Sequence, residues 1–179
     1  KTNPGSDLAA EAAAALASSS ILFKGTDPAY ADDLLKHAKE LFDFANKYQG
    51  MYHESITDAT SFYKSWSGFY DELVWGALWL YCATGDNSYL SKAESLYDKL
   101  PKEPQSATPK YKEALSWDDK TYGCYVLLAK ITDKKQYHTD AQRWLDWWSY
   151  GYSQMQSEGS WSIDSGIAYT PGGLSWIRQ

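Results

Sequence analysis

Gly25-Thr26-Asp27-Pro28-Ala29-Tyr30 recurs in outline at Gly85-Asp86-Asn87-Ser88-Tyr89 and at Thr132-Asp133-Lys134-Lys135-Gln136-Tyr137. Each copy is a short turn that closes one helical pattern and opens the next, with a Tyr in the first turn of the second helix. In the first copy Asp27 stands where an N-cap is needed and Pro28 at the first helical position, where a missing N–H costs nothing. The copies return at intervals of roughly fifty residues, the spacing of a helical-repeat array. Each unit therefore reads as helix, short turn, helix, long loop.

Periodicity outward from these turns supports six helices. Ser6 or Asp7 can cap an Ala-rich helix running to about Phe23 and ending at Gly25. After Asp27, the residues Leu34, Leu35, Ala38, Leu41, Phe42 and Ala45 share one helical face. Residues 50–68 carry no such period and read as a loop. Helices are expected over about 69–83, 87–99, 118–131 and 134–149, with Trp75 and Trp79 as core residues of the third. Pro101, Pro104 and Pro109 mark a second long loop, and the Gly-containing last thirty residues a third. The expected fold is all-α, with three helical hairpins. A single hairpin cannot bury both its faces, so the three must pack side by side. The short turns then share one end of the stack and the long loops the other, where a binding surface can form. Three hairpins make an arc, whereas an α/α barrel commonly uses six, so the flanks need the remainder of a barrel or a second copy to cover them.

Composition narrows the partners. The chain has 179 residues, 44% of them hydrophobic, enough for a real core. A net charge of −6 without a Lys/Arg cluster argues against a nucleic-acid partner. No run approaches the ~18 apolar residues of a membrane span. Cys82 and Cys124 do not make a disulfide framework and read as two partly buried thiols. The polar opening Lys1-Thr2-Asn3-Pro4-Gly5 has neither an initiator Met nor a signal peptide and reads as a processed boundary.

Nine Trp and fifteen Tyr are many for this length. In Ser61-Phe62-Tyr63-Lys64-Ser65-Trp66-Ser67-Gly68, three aromatics sit at the open end of the stack. Phe62, Tyr63 and Trp66 can stack on the apolar C–H faces of sugars, or fold inward and anchor the loop as a small core. Just beyond, Asp71 and Glu72 open a helix, with the carbonyls of Ser67 and Gly68 one turn upstream. Hard oxygens of this kind suit Ca²⁺, and Asp118-Asp119 could add a third carboxylate. The simpler reading is that acids favour helix N-termini through the dipole. The three His residues are scattered, Tyr169-Thr170-Pro171-Gly172-Gly173 reads as a turn, and no nucleophile stands beside a base.

Several blocks closely resemble glycoside hydrolase family 9. They are Pro4-Gly5-Ser6-Asp7-Leu8-Ala9-Ala10-Glu11, Ser61-Phe62-Tyr63 through Trp66-Ser67-Gly68, and Asp71-Glu72-Leu73-Val74-Trp75-Gly76-Ala77. Ala83-Thr84-Gly85-Asp86 with Tyr89-Leu90, Ser116-Trp117-Asp118-Asp119-Lys120, and Tyr169-Thr170-Pro171-Gly172-Gly173-Leu174 follow in family order. The resemblance implies that residues 1–179 are the central part of one (α/α)6-barrel catalytic domain. It implies an endo-β-1,4-glucanase that acts on cellulose or related β-glucans with inversion, secreted from the cell. It assigns Phe62, Tyr63 and Trp66 to glucan contact. Ser67, Gly68, Asp71 and Glu72 match a structural calcium site, joined by Asp118 in preference to Asp119.

The resemblance also marks a departure. Inversion needs two carboxylates about 6.5–9.5 Å apart with water between them. The family's general-base Asp lies near an Asp-Ala-Gly-Asp motif and its general-acid Glu near the C-terminus, and neither motif occurs in these 179 residues. The stretch is expected to start about one third of the way into the domain and to stop at Ile177-Arg178-Gln179, contributing no catalytic residue. The alternative is a non-catalytic helical module that binds β-glucan.

Overall fold

The computed structural model describes residues 3–150, with side chains as far as Trp148. The third long loop and the turn expected at Tyr169-Thr170-Pro171-Gly172-Gly173 lie outside the described residues. Among those described, the chain is helical with no strand, apart from one isolated bridge between Lys102 and Pro109. It divides into two compact units, Lys1–Leu100 and Pro101–Gln179.

The first unit holds α1 (Ser6–Phe23), α2 (Pro28–Lys47), the single turn α3 (Tyr52–Ser55), α4 (Tyr70–Thr84) and α5 (Asn87–Leu96). The hairpins read from the turns are present: α1 packs on α2, and α4 on α5. Their junctions follow the expected chemistry. Asp27 accepts a hydrogen bond from the Tyr30 N–H at 3.1 Å with Pro28 behind it, a cap worth about 1 kcal/mol. Gly85 closes α4 in the left-handed region at φ 70°, which a side chain would disfavour. Asp86 then caps α5 by accepting from Ser88 N–H at 2.9 Å.

The N-terminus of α1 differs from expectation. Gly5 occupies the cap position with no side-chain hydrogen bond, and Ser6 and Asp7 are already helical. Both are buried and bond to other elements, although Asp7 also accepts from Leu8 N–H of its own helix at 2.9 Å. The Ser6 hydroxyl donates to Ala45 O at 2.8 Å, tying α1 to the end of α2, and Asp7 accepts from Tyr52 N–H at 3.1 Å. Their polar side chains therefore fasten neighbouring elements, which periodicity cannot reveal.

Ala10, Ala13, Ala14 and Ala17 make the buried face of α1, so the neighbouring helices approach closely. At the crossing with α4, Gly76 leaves no room for a side chain. A Cβ there would meet Ala10 O at 2.8 Å and the Phe42 ring at 3.2 Å. Leu73, Val74, Ala77, Leu78 and Leu80 of α4 are fully buried around it. Trp75 and Trp79, expected in the core, are instead half-buried and meet edge to face at 5.6 Å. Their large rings fit the margin of a helix whose centre is crowded by a neighbouring backbone. Residues 50–68, read as loop, contain α3 and a 3-10 turn at Thr57–Ser61. These are too short to carry a helical period.

The second unit joins α6 (Thr121–Thr132) to α7 (Lys135–Tyr150), the third hairpin. Helix α6 starts three residues later than expected, because Asp119 Oδ1 accepts from Thr121 N–H at 3.0 Å and stops the turn there. Tyr122 stacks on Trp144 with ring centres 5.2 Å apart. The loop before α6 is held by side chains: Tyr125 OH donates to Lys110 O at 3.1 Å and Trp144 Nε1 to Glu113 O at 2.9 Å. Cys124 is buried and Cys82 exposed, and neither forms a disulfide. No described helix is long and apolar enough to cross a membrane.

The α1–α4 crossing yields a direct test. Replacing a helical Gly by Ala ordinarily gains up to about 1 kcal/mol. Gly76→Ala is expected instead to destabilise the protein by about 1–3 kcal/mol, because the added methyl forces two packed helices apart. Urea denaturation measures this, and an unchanged or raised midpoint contradicts the packing described.

Candidate functional site: an aromatic loop over buried carboxylates

The site is built on the 3-10 turn Thr57–Ser61. Ala59 O accepts from both Phe62 N–H at 3.0 Å and Tyr63 N–H at 2.8 Å, which fixes where the next residues start. Phe62, Tyr63 and Trp66 then stand 81%, 58% and 76% exposed. That decides between the two readings of the trio: the rings face solvent and do not form an inward core. Large apolar rings gathered in the open are the mark of a binding surface. The Lys64 ammonium lies 4.7 Å over the Trp66 ring, a cation–π contact.

Ser65 turns the opposite way and is buried. Its N–H donates to His53 Nδ1 at 3.3 Å and its hydroxyl to Gly68 O at 2.6 Å. Gly68 has φ 96°, a conformation that suits glycine and turns the chain from the loop into α4.

Asp71 and Glu72 occupy the first turn of α4, 0% and 2% exposed. Burying a carboxylate is costly unless cations, donors or dipoles compensate it. The helix N-terminus supplies part of that compensation. Both side chains are engaged, although Asp71 Oδ1 and Glu72 Oε2 themselves accept no hydrogen bond within the described residues. Ser67 and Gly68 lie just upstream of α4, whose first turn carries Asp71 and Glu72. Among the described residues no group of three or more His, Cys, Asp or Glu side chains gathers as a metal cluster. Two carboxylates with backbone carbonyls are nevertheless the hard-oxygen donors that Ca²⁺ prefers.

Asp118 and Asp119 belong to the second unit, in the bend before α6, and the structure separates their chemistry. Asp119 is buried, accepts from Thr121 N–H, and forms an ion pair with the Lys110 ammonium at 3.3 Å. Lys110 also meets Glu113 at 2.6 Å. Burial works against the Lys110 charge, but its bonds to Glu113 and Asp119 outweigh it and hold the ammonium pKa above its ordinary value. Asp118 is half-buried, and its N–H donates to the Ser116 hydroxyl at 3.3 Å.

Three side chains that support the site escape the sequence reading. Asp7 reads there as a helix cap, His53 as one of three scattered histidines, and Ser65 has no role assigned within the quoted loop. Only the placement of Asp7 in the Pro4-Gly5-Ser6-Asp7 block hinted at more.

The sequence matches the model of Glycosyl hydrolase family 9 over residues 1–179. The chain belongs to this family. Endoglucanase B of Cellulomonas fimi is 54% identical over 170 residues, a stretch that covers 95% of this chain and 15% of that protein. Endoglucanase 4 of Bacillus sp. (strain KSM-522) is 45% identical over 98% of this chain and 26% of its own length. Among solved structures, an endoglucanase from the termite Nasutitermes takasagoensis superposes with a TM-score of 0.79 at 44% identity, covering 97% of this chain and 37% of that one. Endoglucanase CelQ of Clostridium thermocellum, complexed with cellotetraose, does so with a TM-score of 0.76 at 42% identity, covering 95% and 26%. The chain therefore spans well under half the length of each of these family 9 proteins. Its all-helical hairpins are part of the family's (α/α)6 barrel.

The buried acid of this family 9 site has a testable titration. Burial raises the Asp7 pKa above its ordinary value, against hydrogen bonds from Leu8 N–H and Tyr52 N–H that lower it. A carboxyl whose folded pKa is raised contributes most below its unfolded value and loses that contribution as pH rises through the folded one. The non-titrating Asp7→Asn protein should accordingly show its larger stability deficit near pH 4, the ordinary carboxylate range, and a smaller one near pH 7. Urea midpoints at both values test this, and a deficit equal or greater at neutral pH contradicts it.

Proposed function

We propose that the full protein is a secreted endo-β-1,4-glucanase that hydrolyses cellulose or related β-glucans with inversion. In this reading residues 1–179 form part of the cleft wall. The observation that carries it is the outward trio Phe62, Tyr63 and Trp66, exposed on a loop anchored from beneath, in a chain of glycosyl hydrolase family 9. The flat rings offer π-faces to the axial C–H bonds of successive glucose units, and polar groups around them remain available to the hydroxyls. Stacking of this kind holds a chain without cutting it. The acid and base of an inverting pair are supplied by other parts of the protein, since the family's Asp-Ala-Gly-Asp motif does not occur within these residues. A polymeric substrate cannot cross a membrane, which supports action outside the cell.

The reading includes a structural Ca²⁺ held by Asp71 and Glu72 with the carbonyls of Ser67 and Gly68. Two buried carboxylates on consecutive residues fit a hard divalent cation. Such an ion supplies rigidity and no redox or nucleophilic chemistry. Its ligands at Ser67 and Gly68 directly follow Trp66, so holding them restrains that ring.

The test is hydrolysis of carboxymethylcellulose by the full protein. The expected result is turnover with inversion at the anomeric carbon, and in Trp66→Ala a KM raised roughly tenfold with kcat little changed. Binding without turnover by the full protein favours a glucan-binding module instead. Neither binding nor turnover contradicts both readings.

A further inference from the structure

The aromatic trio is only as useful as the position of the loop that carries it, and one residue of that loop is held from two sides. Ser65 lies between Tyr63 and Trp66, and it is the one buried residue of the stretch from Ser61 to Gly68. From α3, His53 takes its backbone N–H through Nδ1 at 3.3 Å. The Ser65 hydroxyl donates to Gly68 O at 2.6 Å, spanning the turn that contains Trp66.

His53, and Asp7 which holds its turn, are themselves fixed. His53 is 7% exposed, its ring meets Tyr52 edge-on at 6.0 Å, and its carbonyl accepts from the Thr60 hydroxyl at 3.4 Å. Asp7 is 5% exposed and accepts from Tyr52 N–H through both oxygens, at 3.1 and 3.2 Å. Accepting at Nδ1 places the His53 ring in its neutral form with the proton on Nε2. Histidine thus serves here as a buried acceptor, and its ring reaches from one element to the backbone of another.

We propose that His53 and Asp7 are positioning residues for glucan binding: His53 clamps Ser65, Asp7 holds the turn that carries His53 through Tyr52 N–H, and the two so set the relative placement of Tyr63 and Trp66. The assignment deepens the glucan-binding reading and rests on it. Neither residue touches sugar. Their effect is to keep the loop in the one arrangement that presents both rings, so that a glucan does not spend binding energy on ordering it. Releasing the Ser65 N–H leaves a buried donor unsatisfied, which favours other loop arrangements.

The test uses the full protein and two replacements of one side chain. His53→Phe keeps a ring but removes the acceptor, whereas His53→Asn offers an amide oxygen close to the Nδ1 position. Calorimetric titration with cellotetraose is expected to show the dissociation constant raised roughly tenfold in His53→Phe, the shift that loss of one buried hydrogen bond gives. His53→Asn should recover most of the affinity, and amide exchange across residues 62–68 should quicken in His53→Phe and return toward the parent rate in His53→Asn. A purely structural role predicts equal losses in both variants, and that result overturns the proposal, as does an unchanged affinity in His53→Phe. If His53→Phe does not fold, Ser65→Ala carries the test, with affinity expected to fall and an unchanged affinity overturning the clamp. A parent protein that neither binds nor hydrolyses glucan overturns the functional reading itself. A parent that binds while all variants match it overturns only the clamp.

Discussion

Asp71 and Glu72 place two carboxylates side by side in the buried first turn of α4, and the surroundings of the aromatic loop answer to that constraint. A position so unfavourable for negative charge has to be compensated by the helix terminus, by donors, or by a cation. Their helix is also the one that presses against α1 at Gly76, so its start cannot drift to relieve the burial. The loop immediately upstream is thereby bound at its end, through Gly68, to the most tightly packed helix of the first unit. An exposed aromatic surface on such a base has little freedom to collapse inward.

Much of this was legible in the sequence where a local rule sufficed. Asp27 with Pro28, Gly85 with Asp86, and the recurring Tyr placed the hairpins correctly, because capping and turn chemistry act within a few residues. The rule failed at Ser6 and Asp7, which have the chemistry of caps but bond to Ala45 and Tyr52 across the fold. Helix α6 was drawn too early because the run from Asp118 looks helical in composition, and only the bond from Asp119 to Thr121 N–H shows where it begins. Trp75 and Trp79 stand among the apolar positions of their helix, but a crossing as close as that at Gly76 leaves such rings half-buried.

The candidate site was readable in part. Which way Phe62, Tyr63 and Trp66 face depends on what lies under the loop, and composition is silent on that. Ser65 and His53 supply the answer, and they stand 12 positions apart in the sequence. Asp118 and Asp119 are chemically identical neighbours, and they become distinct through Lys110 and Thr121 N–H, both of which bond to Asp119. The family resemblance supplied roles that no periodicity could. The structure adds the exposure of the rings, the burial of the carboxylates and the bond from Ser65 N–H to His53 beneath the loop.

The central claim is that the acidic turn of α4 holds a divalent cation that moors the aromatic loop. Calorimetric titration of Ca²⁺ into the chelator-treated full protein tests it most directly. The account predicts saturable binding at this site in the parent protein and loss of that binding in Glu72→Gln. Absence of Ca²⁺ binding in the parent, or identical binding in Glu72→Gln, would contradict it.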